Sequence, residues 1–149
     1  MINMLNETHA FECAALHHAC FPAGWDADIF KAWLSTDMFK GFGIFQNEQL
    51  VSFVLGSALD GEFEIYTLCT AETYRGQGYA KQLVDFLSNS PDLPDMKTIF
   101  LDVREDNIAA LALYEKAGFR MISSRVGYYT EGDKTIDAVC MMKNLLDKA

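Results

Sequence analysis

Two glycines separated by a single residue mark the stretch of this sequence that could hold an anion. The stretch lies between an apolar run that ends near Thr70 and a helical pattern that begins near Gln77, and it reads Arg75, Gly76, Gln77, Gly78, Tyr79, Ala80, Lys81. Glycines remove side chains where backbone amides must approach a ligand, and a helix N-terminus favours negative charge. The pattern predicts a nest for a pyrophosphate, with added charge from Arg75 and Lys81, although a turn that merely begins a helix has the same glycines.

A second group of candidate residues stands where another helix begins. Asn107 ends a loop directly before a helical pattern, so its side chain can cap that helix or contact a coenzyme. Tyr114 follows seven residues later, on the helix face shared with Ala110 and Leu111, where an aromatic ring is usually part of the core. A phenol that reaches a cleft could also donate a proton. The sequence leaves both interpretations of each residue open.

Together the two segments resemble the signatures of the GNAT acetyltransferase superfamily. The fixed positions of its coenzyme loop, Q/R-x-x-G-x-G/A, are matched by Arg75, Gly78 and Ala80. Its second signature, N-x-x-A-x-x-L-Y-x-x-x-G-F, is matched by Asn107, Ala110, Leu113, Tyr114, Gly118 and Phe119. The tail Arg125-Val126-Gly127-Tyr128-Tyr129 is similar to the RimI-type branch, which acetylates the N-terminal alanine of a small-subunit ribosomal protein. The resemblance covers roughly residues 53–145.

The resemblance implies acetyl-CoA as cosubstrate and a place for it. The coenzyme would lie on the loop from Arg75 to Lys81 and beside Asn107. Its pantetheine arm would pair, like an added strand, with the main chain of Leu68, Cys69 and Thr70. An amide of the same segment is the candidate donor to the oxygen that develops negative charge.

The resemblance also implies direct transfer of the acetyl group. Tyr114 would protonate the departing thiolate, and Tyr128 and Tyr129 would hold the acceptor. No covalent intermediate is needed, so Cys69 is interpreted as a strand residue and not as a nucleophile.

Two carboxylates are candidates for the base. An amine is largely protonated at neutral pH and must lose a proton before it attacks. RimI-type enzymes usually carry a glutamate in the strand before the second signature, where this sequence has Asp102, one methylene shorter. Glu64 lies where histone-acetylating relatives place their base, six residues before Thr70. Either acid could instead be a solvated residue or a partner of Arg104, so both remain candidates. Period-two alternation predicts four residues on one strand face: Glu64, Tyr66, Leu68, Thr70.

The elements that must position these residues form a mixed α/β (α+β) pattern. The predicted segments are helices 7–20 and 26–34, strands 41–46, 50–59 and 62–70, helix 77–88, strand 98–103, helix 107–117, and strands 119–126 and 135–142. Asp26 is expected to cap the second helix, and Asn47-Glu48 and Asp60-Gly61 are hairpin signals. The order predicts a mostly antiparallel sheet with helices on both faces and a crevice where the connections change type. The expected architecture is a GNAT-like fold in a single domain, residues 1–149.

Composition limits the classes of partner that we expect this protein to bind. The chain has 149 residues, and its 12 Lys and Arg against 21 Asp and Glu give a formal net charge of −9. This charge argues against nucleic acid and favours a basic partner. No apolar run approaches the roughly 18 residues that span a bilayer, and no signal peptide is evident, so we expect a cytosolic protein without a membrane partner.

The cysteines and histidines show no pattern typical of a metal site. The cysteines lack C-x-x-C spacing and are predicted to be reduced thiols: Cys13, Cys20, Cys69, Cys140. His17 and His18 are adjacent, so on a helix they point about 100° apart instead of converging. No metal is predicted.

Three functions are consistent with these residues. The leading hypothesis is a RimI-type N-acetyltransferase that acts on a protein or peptide N-terminus, with a ribosomal protein as the implied acceptor. The second keeps the fold and the cosubstrate but acetylates a small-molecule amine or a lysine side chain. The third is a non-catalytic acyl-CoA-binding module, against which the complete loop and Tyr114 argue.

Overall fold

The computed structural model describes residues 2–145, so Met1 and residues 146–149 of the predicted domain lie outside the described residues. Seven strands and four α-helices follow one another along this part of the chain. They are β1 (Ile2–Met4), α1 (Ala10–Cys20), α2 (Ala27–Leu34), β2 (Phe39–Gln46), β3 (Gln49–Leu59), β4 (Glu62–Thr70), α3 (Tyr79–Asn89), β5 (Thr98–Arg104), α4 (Ile108–Lys116), β6 (Arg120–Glu131) and β7 (Lys134–Asn144). Within residues 2–145, no helix is long and apolar enough to cross a membrane.

The strands form one sheet in the order β1-β2-β3-β4-β5-β7-β6. Every neighbouring pair is antiparallel except β4 and β5, which run parallel. A parallel pair needs a crossover connection, and the segment that contains α3 supplies it. The mostly antiparallel mixed sheet that the sequence predicts is therefore confirmed.

Helices cover both faces of this sheet, as predicted. On one face, α3 and α4 pack over a core that includes Phe42, Leu83 and Tyr114. On the other face, α1 and α2 pack over a smaller core in which the fully buried rings of Phe30 and Phe53 lie 5.7 Å apart. Burial of a large apolar side chain stabilises the fold by roughly 1.5–3 kcal/mol. The central strands are thus held between two helical layers.

Both predicted hairpins of the meander are present. Asn47 and Glu48 have φ angles of 51° and 65°, and Asp60 and Gly61 have φ angles of 51° and 82°. Positive φ at both central residues is typical of a type I′ turn, whose twist matches that of the flanking strands. Each turn therefore fixes an antiparallel pair locally, which is why the sequence predicts this region well.

Several boundaries differ from the prediction. β1 is too short to show a periodic pattern in sequence, yet it pairs with β2, with Ile2 opposite Ile44. α3 begins at Tyr79 and not at residue 77, because Gly78 adopts a left-handed φ of 83° at the N-cap position. Asp26 occupies the N-cap position of α2 without a side-chain cap, since its carboxylate lies 3.2 Å from the ring of His18.

The closing hairpin is longer than predicted. Tyr128 and Tyr129 lie in strand β6, and not in the expected polar loop. The register between β6 and β7 shifts between Arg125 and Tyr129, where Gly127 has a φ of 64°. A bulge of this kind interrupts the period-two alternation of a strand, so the segment looks like a loop in sequence.

Candidate active site

The sheet splits where its connections change type, as the sequence predicts. β4 and β5 pair from Glu62–Ile65 to Thr98–Leu101, and the described pairing does not continue into the second half of β4. On the edge that faces β5, the backbone groups of residues 66–70 therefore form no ladder hydrogen bonds with β5. The N-termini of α3 and α4 both follow strands that end at this split.

A cavity of about 240 Å³ lies at the split. We call it the splay cavity, and its lining residues are Cys20, Phe21, Leu68, Cys69, Thr70, Arg75, Ala80, Ala110, Leu113 and Tyr114. It joins three of the groups that the sequence singles out, namely the end of β4, the glycine loop and the helix of the second signature. Cys20 and Phe21 line it as well, and neither was predicted, because only the packing of α1 against β4 brings them here.

The glycine loop has the geometry that close approach of a ligand requires. Gly76 and Gly78 have φ angles of 79° and 83°, and a Cβ added to either would meet nothing within 4 Å. Their backbone faces open space in a conformation that other residues rarely adopt. The first amides of any α-helix lack intrahelical partners, and Gly78 has no side chain with which to cap those of α3, so they can bind an anion. These features fit the phosphates of a coenzyme.

The two cations predicted to add charge both contact groups of the protein itself. The Lys81 ammonium lies 2.7 Å from the Asp85 carboxylate, one helical turn further on. The Arg75 guanidinium donates through Nε to the carbonyl oxygen of Thr70, at 3.0 Å. Both side chains are therefore engaged within the protein, whereas the backbone at the two glycines of the loop faces open space.

Asn107 and Tyr114 both have the structural roles that the sequence allows. Asn107 Oδ1 accepts a hydrogen bond from the amide of Ala110 at 3.1 Å, so Asn107 caps α4. Tyr114 is only 7% exposed and packs edge-on against Phe119, yet it lines the splay cavity. Burial raises the pKa of the Tyr114 phenol, and the nearby Tyr129 adds to the rise. The phenol is therefore protonated across the physiological range, as a proton donor must be.

A β-bulge in β4 changes which residues face which side of the sheet. The register with β3 shifts at Tyr66, which is left without a paired residue. Ile65 and Leu68 consequently both pack against the α3 and α4 core, whereas an uninterrupted strand would put them on opposite faces. The prediction that Glu64 shares a face with Leu68 and Thr70 is wrong, because Glu64 faces away from that core.

Both candidate bases line a second cavity, of about 430 Å³. We call it the acidic cavity, because its lining includes the carboxylates of Asp60, Glu62, Glu64 and Asp102. Asp102 lies on the face of β5 opposite to that of the buried core residues on either side of it. Arg104, named in the sequence as a possible partner of these acids, instead pairs with Asp106 and Glu131.

Arg125 is the cation that lines the acidic cavity, and the sequence does not predict its approach to Asp102. Its Nε lies 3.9 Å from Asp102 Oδ1, and its guanidinium stands 5.1 Å from the ring centre of the exposed Tyr128. Tyr129 is half-buried; burial raises the pKa of its phenol, and the Asp102 carboxylate raises it further. The Tyr114 phenol and the Asp102 carboxylate, which line different cavities, both interact electrostatically with Tyr129.

His17 is a core histidine. Its Nε2 lies 3.1 Å from Thr67 Oγ1, and its Nδ1 accepts a hydrogen bond from the amide of Trp25 at 2.9 Å. Burial lowers the pKa of His17 to about 4, so the ring is neutral. Its two bonds fix the loop after α1 against β4. Among residues 2–145, no group of three or more possible ligands converges on a metal position.

Comparison with known proteins identifies the class. Residues 7–119 match the model of the acetyltransferase (GNAT) family. The chain is 29% identical over 105 residues to the ribosomal protein bS18-alanine N-acetyltransferase of Escherichia coli, which covers 70% of this chain and 71% of that protein. It is 30% identical over 134 residues to N-alpha-acetyltransferase RimI of Mycobacterium tuberculosis, with coverage of 86% and 83%. The chain belongs to the GNAT acetyltransferase family.

Solved structures agree on the fold. The crystal structure of the Escherichia coli ribosomal-protein-S18-alanine N-acetyltransferase superposes with a TM-score of 0.90 at 24% identity, covering 97% of this chain and 93% of that one. Arabidopsis thaliana NAA60 in complex with acetyl-CoA gives a TM-score of 0.82 at 20% identity, with 97% of each chain covered. The protein is an acetyl-CoA-dependent N-acetyltransferase with the GNAT fold.

Proposed function

We propose that this enzyme acetylates the N-terminal amine of a protein, and that its acceptor begins with alanine and continues with basic residues. The observation that carries the proposal is that one strand, β4, lines both cavities: Leu68, Cys69 and Thr70 line the splay cavity, and Glu62 and Glu64 line the acidic cavity. A donor held on one side of the split and an amine held on the other would meet there. The relative named as a ribosomal protein bS18-alanine N-acetyltransferase and the relative named as an N-alpha-acetyltransferase support this acceptor class.

On the coenzyme side, the free edge of β4 supports the pantetheine role. Leu68, Cys69 and Thr70 pair with β3 on one side, and the described pairing with β5 stops at Ile65 on the other. The carbonyl oxygen of Thr70 accepts a hydrogen bond from Arg75 Nε. The other backbone groups that this segment presents toward β5 can bond an amide-bearing arm as a neighbouring strand would. We assign the phosphates to the loop that contains Gly76 and Gly78, and the coenzyme contact of Asn107 stays part of the same proposal.

On the acceptor side, we assign the base to Asp102. Its side chain is 20% exposed and lines the acidic cavity, and Arg125 Nε lies 3.9 Å from its carboxylate. Glu64 is more exposed and pairs across β4 and β5 at Phe100, within the closed part of the sheet. Glu64 is therefore assigned to acceptor binding, together with Tyr128 and Tyr129.

The chemistry follows from these positions. An N-terminal α-amine has a pKa near 8, so a carboxylate such as Asp102 can take its proton, directly or through water. The free amine then attacks the thioester carbonyl, and an amide of the Leu68–Thr70 segment stabilises the oxygen that gains charge. Tyr114 donates its proton to the departing thiolate. No group of the protein forms a covalent bond with the acetyl group on this path.

The acceptor class is tested with three amines and one coenzyme. A basic peptide beginning with alanine, the same peptide with a blocked N-terminus and one lysine, and spermidine are each mixed with acetyl-CoA, and thiol release and product mass are measured. We expect turnover of the first alone. Faster acetylation of spermidine or of the lysine side chain would establish the small-amine or lysine function instead. Coenzyme binding without turnover of any of the three amines would mean that the protein is a non-catalytic binding module.

The base is tested by two isosteric variants in the same cavity. Asp102→Asn should lower the rate of the chemical step by roughly 10²- to 10⁴-fold, as loss of a general base does. Glu64→Gln, the matched control, should raise the KM for peptide with little effect on that step. Asp102→Glu should retain activity, because it keeps the carboxylate. The opposite pattern would make Glu64 the base.

A further inference from the structure

His17 is a buried polar side chain that the proposed function does not use. It lies in the last turn of α1 and is 4% exposed. Its ring stacks on that of Trp25, with the ring centres 4.5 Å apart, and its centre lies 4.6 Å from that of the Phe21 ring. Burial of a polar group costs free energy unless the group is hydrogen-bonded, so a histidine in this core needs partners for both ring nitrogens.

The two hydrogen bonds of His17 connect two separate segments of the chain. Its Nδ1 accepts from the amide of Trp25 at 2.9 Å, and its Nε2 lies 3.1 Å from Thr67 Oγ1. An amide nitrogen can only donate, so Nδ1 carries no proton. Burial lowers the pKa of His17 and keeps the ring neutral, so its one proton is on Nε2 and is donated to Thr67. His17 thus joins the loop after α1 to strand β4.

Both segments that His17 joins line the splay cavity. Phe21 begins the loop after α1, and Leu68 directly follows Thr67 in β4. Phe21 and Leu68 are both lining residues of the cavity, whereas His17 itself is not. A movement of the loop relative to the strand would therefore change the shape of the cavity.

The strand end of this link lies where the sheet restrains β4 from one side only. Residues 67–70 pair with β3 along one edge, whereas the described pairing of β4 with β5 stops at Ile65. The bulge at Tyr66 directly precedes this segment and interrupts the regular ladder. Because a ladder on one edge leaves the segment less firmly held, a buried side-chain hydrogen bond beside the bulge can fix where its main chain lies.

We propose that His17 is a positioning residue of the acetyl transfer, and that its bond to Thr67 holds the main chain of residues 68–70 in place against the thioester. The amide of this segment that receives the developing negative charge must lie within hydrogen-bond distance of the carbonyl oxygen in the transition state. A small displacement of the strand weakens that contact more than it weakens binding of the coenzyme phosphates at the glycine loop. The inference rests on the proposed place of the thioester in the splay cavity.

Two variants of Thr67 separate the hydrogen bond from the packing. Thr67→Val has nearly the same shape but lacks the hydroxyl, and it should lower the single-turnover rate by about 10- to 10²-fold, since misplacement by about 1 Å can cost 10²-fold. Thr67→Ser keeps the hydroxyl and should retain most of the rate. Calorimetric titration should give nearly the same Kd for coenzyme A in both variants. A wild-type rate in folded Thr67→Val would overturn the inference.

A matched control separates positioning from stability. Cys13 lies one helical turn before His17, is fully buried and belongs to the same core. Cys13→Ala removes one buried atom without touching the link, so it should lower the denaturant midpoint and leave the single-turnover rate of the folded enzyme near that of the wild type. An equal loss of rate in folded Cys13→Ala and Thr67→Val would mean that Thr67 acts through stability alone, and the inference would be wrong.

A double-mutant cycle tests whether the two residues act as one link. His17→Phe keeps an aromatic ring but neither hydrogen bond, and it should lower the rate at least as much as Thr67→Val. The double variant should be no slower than His17→Phe alone, because the two changes remove the same bond. Losses of rate that multiply would show that the two residues act independently and would contradict the link.

A spectroscopic measurement uses the unmodified chain and so does not depend on how a variant folds. At about pH 7, NMR of the ring nitrogens should show His17 protonated at Nε2 and without a proton at Nδ1, because burial lowers its pKa to about 4. A proton on Nδ1, or a titration near the ordinary histidine pKa of about 6.5, would remove the hydrogen-bond geometry on which the inference depends.

Failure of this inference is distinguishable from failure of the proposed function. The variants are assayed with whichever of the three amines the wild type acetylates, so a wrong acceptor class leaves the comparison intact. If wild type and Thr67→Val acetylate the alanine-initiated peptide equally fast, the inference is wrong and the function stands. If spermidine is the acceptor, and Thr67→Val loses that activity while Thr67→Ser keeps it, the acceptor is wrong and the positioning role stands.

Discussion

The proposed coenzyme side and the proposed acceptor side of the split sheet are built in different ways. On the coenzyme side, the loop of Gly76 and Gly78 and the helix of Asn107 and Tyr114 are each a continuous segment. On the acceptor side, the acidic cavity takes its residues from β3, β4, β5, β6 and β7, which are brought together by long-range pairing with three register shifts. The residues of the coenzyme side can be recognised as sequence motifs. The residues of the acceptor side come together only through the register of the strands. Substitutions in a motif should therefore act on binding or chemistry directly, whereas substitutions at a bulge should act through the sheet.

The largest effect is expected from removing the phenol of the coenzyme side. Tyr114→Phe keeps the ring packed against Phe119 and should lower the single-turnover rate by about 10²- to 10⁴-fold, the usual worth of a general acid. The unfolding free energy should change little. Because burial raises the pKa of Tyr114, the wild-type rate should not fall through loss of the acid as the pH approaches about 10.

A control tyrosine sharpens this prediction. Tyr74 packs on the same core at the edge of the glycine loop, and Tyr74→Phe should leave the rate of the chemical step near that of the wild type. A loss of less than threefold in Tyr114→Phe would reject its role as the acid.

The next largest effect compares two glycines with the same local geometry. Gly78 and Gly132 have φ angles of 83° and 63°, and a Cβ at either would meet nothing within 4 Å. Valine at either position should cost similar stability, about 1–2 kcal/mol for a left-handed residue. Only Gly78→Val should weaken coenzyme binding, by roughly 10²-fold, since one or two charge-assisted bonds of about 1.5–3 kcal/mol each would be lost. Calorimetric titration of both variants with coenzyme A measures this, and equal affinities would contradict the anion nest.

A smaller effect is expected where the β4 bulge meets β3. A Cβ at Gly56 would overlap the backbone carbonyl oxygen of Glu64 and the ring of Phe63, whereas a Cβ at Gly43 would meet first the movable end of Leu50, at 2.6 Å. Gly56→Ala should therefore lower the unfolding free energy by about 1–3 kcal/mol, and Gly43→Ala by less. The denaturant midpoints of the two variants measure this difference in stability. A Gly56→Ala protein as stable as the wild type would mean that the bulge does not need the glycine.

The smallest effect concerns long-range attraction. A net charge of −9 and a cavity lined by carboxylates should attract a basic peptide, and salt should screen that attraction. The Debye length falls from about 30 Å at 0.01 M salt to about 10 Å at 0.1 M. We expect kcat/KM for a basic alanine-initiated peptide to fall several-fold over this range, and for a neutral one to change little. If kcat/KM depended equally on salt for the two peptides, long-range attraction would not contribute to the choice of acceptor.

The same contrast explains what the sequence could predict. The I′ turns at Asn47-Glu48 and Asp60-Gly61 and the cap at Asn107 are local, so residue types alone indicate them. The extra residue in β4 is not local, because only the register with β3 shows that Tyr66 has no partner. The face of Glu64 relative to Leu68 was therefore predicted wrongly.

The sequence is equally uninformative about which charged residues approach one another. Asp102 and Arg125 come from strands separated in the sheet by β7, so their approach depends on the whole hairpin. The strand position of Tyr128 and Tyr129 follows from the bulge around Gly127, which interrupts the alternation by which a strand is recognised. Cys20 reaches the splay cavity through packing of α1, for which the sequence offers no signal.

The central claim is that the two sides meet through the split between β4 and β5, and one binding measurement tests it directly. An alanine-initiated basic peptide joined through its N-terminus to the sulfur of coenzyme A should bind far more tightly than coenzyme A or the free peptide alone. Linked ligands that engage two sites at once typically gain about 10²- to 10⁴-fold. The gain should largely disappear when the peptide is joined through a lysine side chain instead. A conjugate that binds no better than coenzyme A would mean that donor and acceptor do not meet at this split.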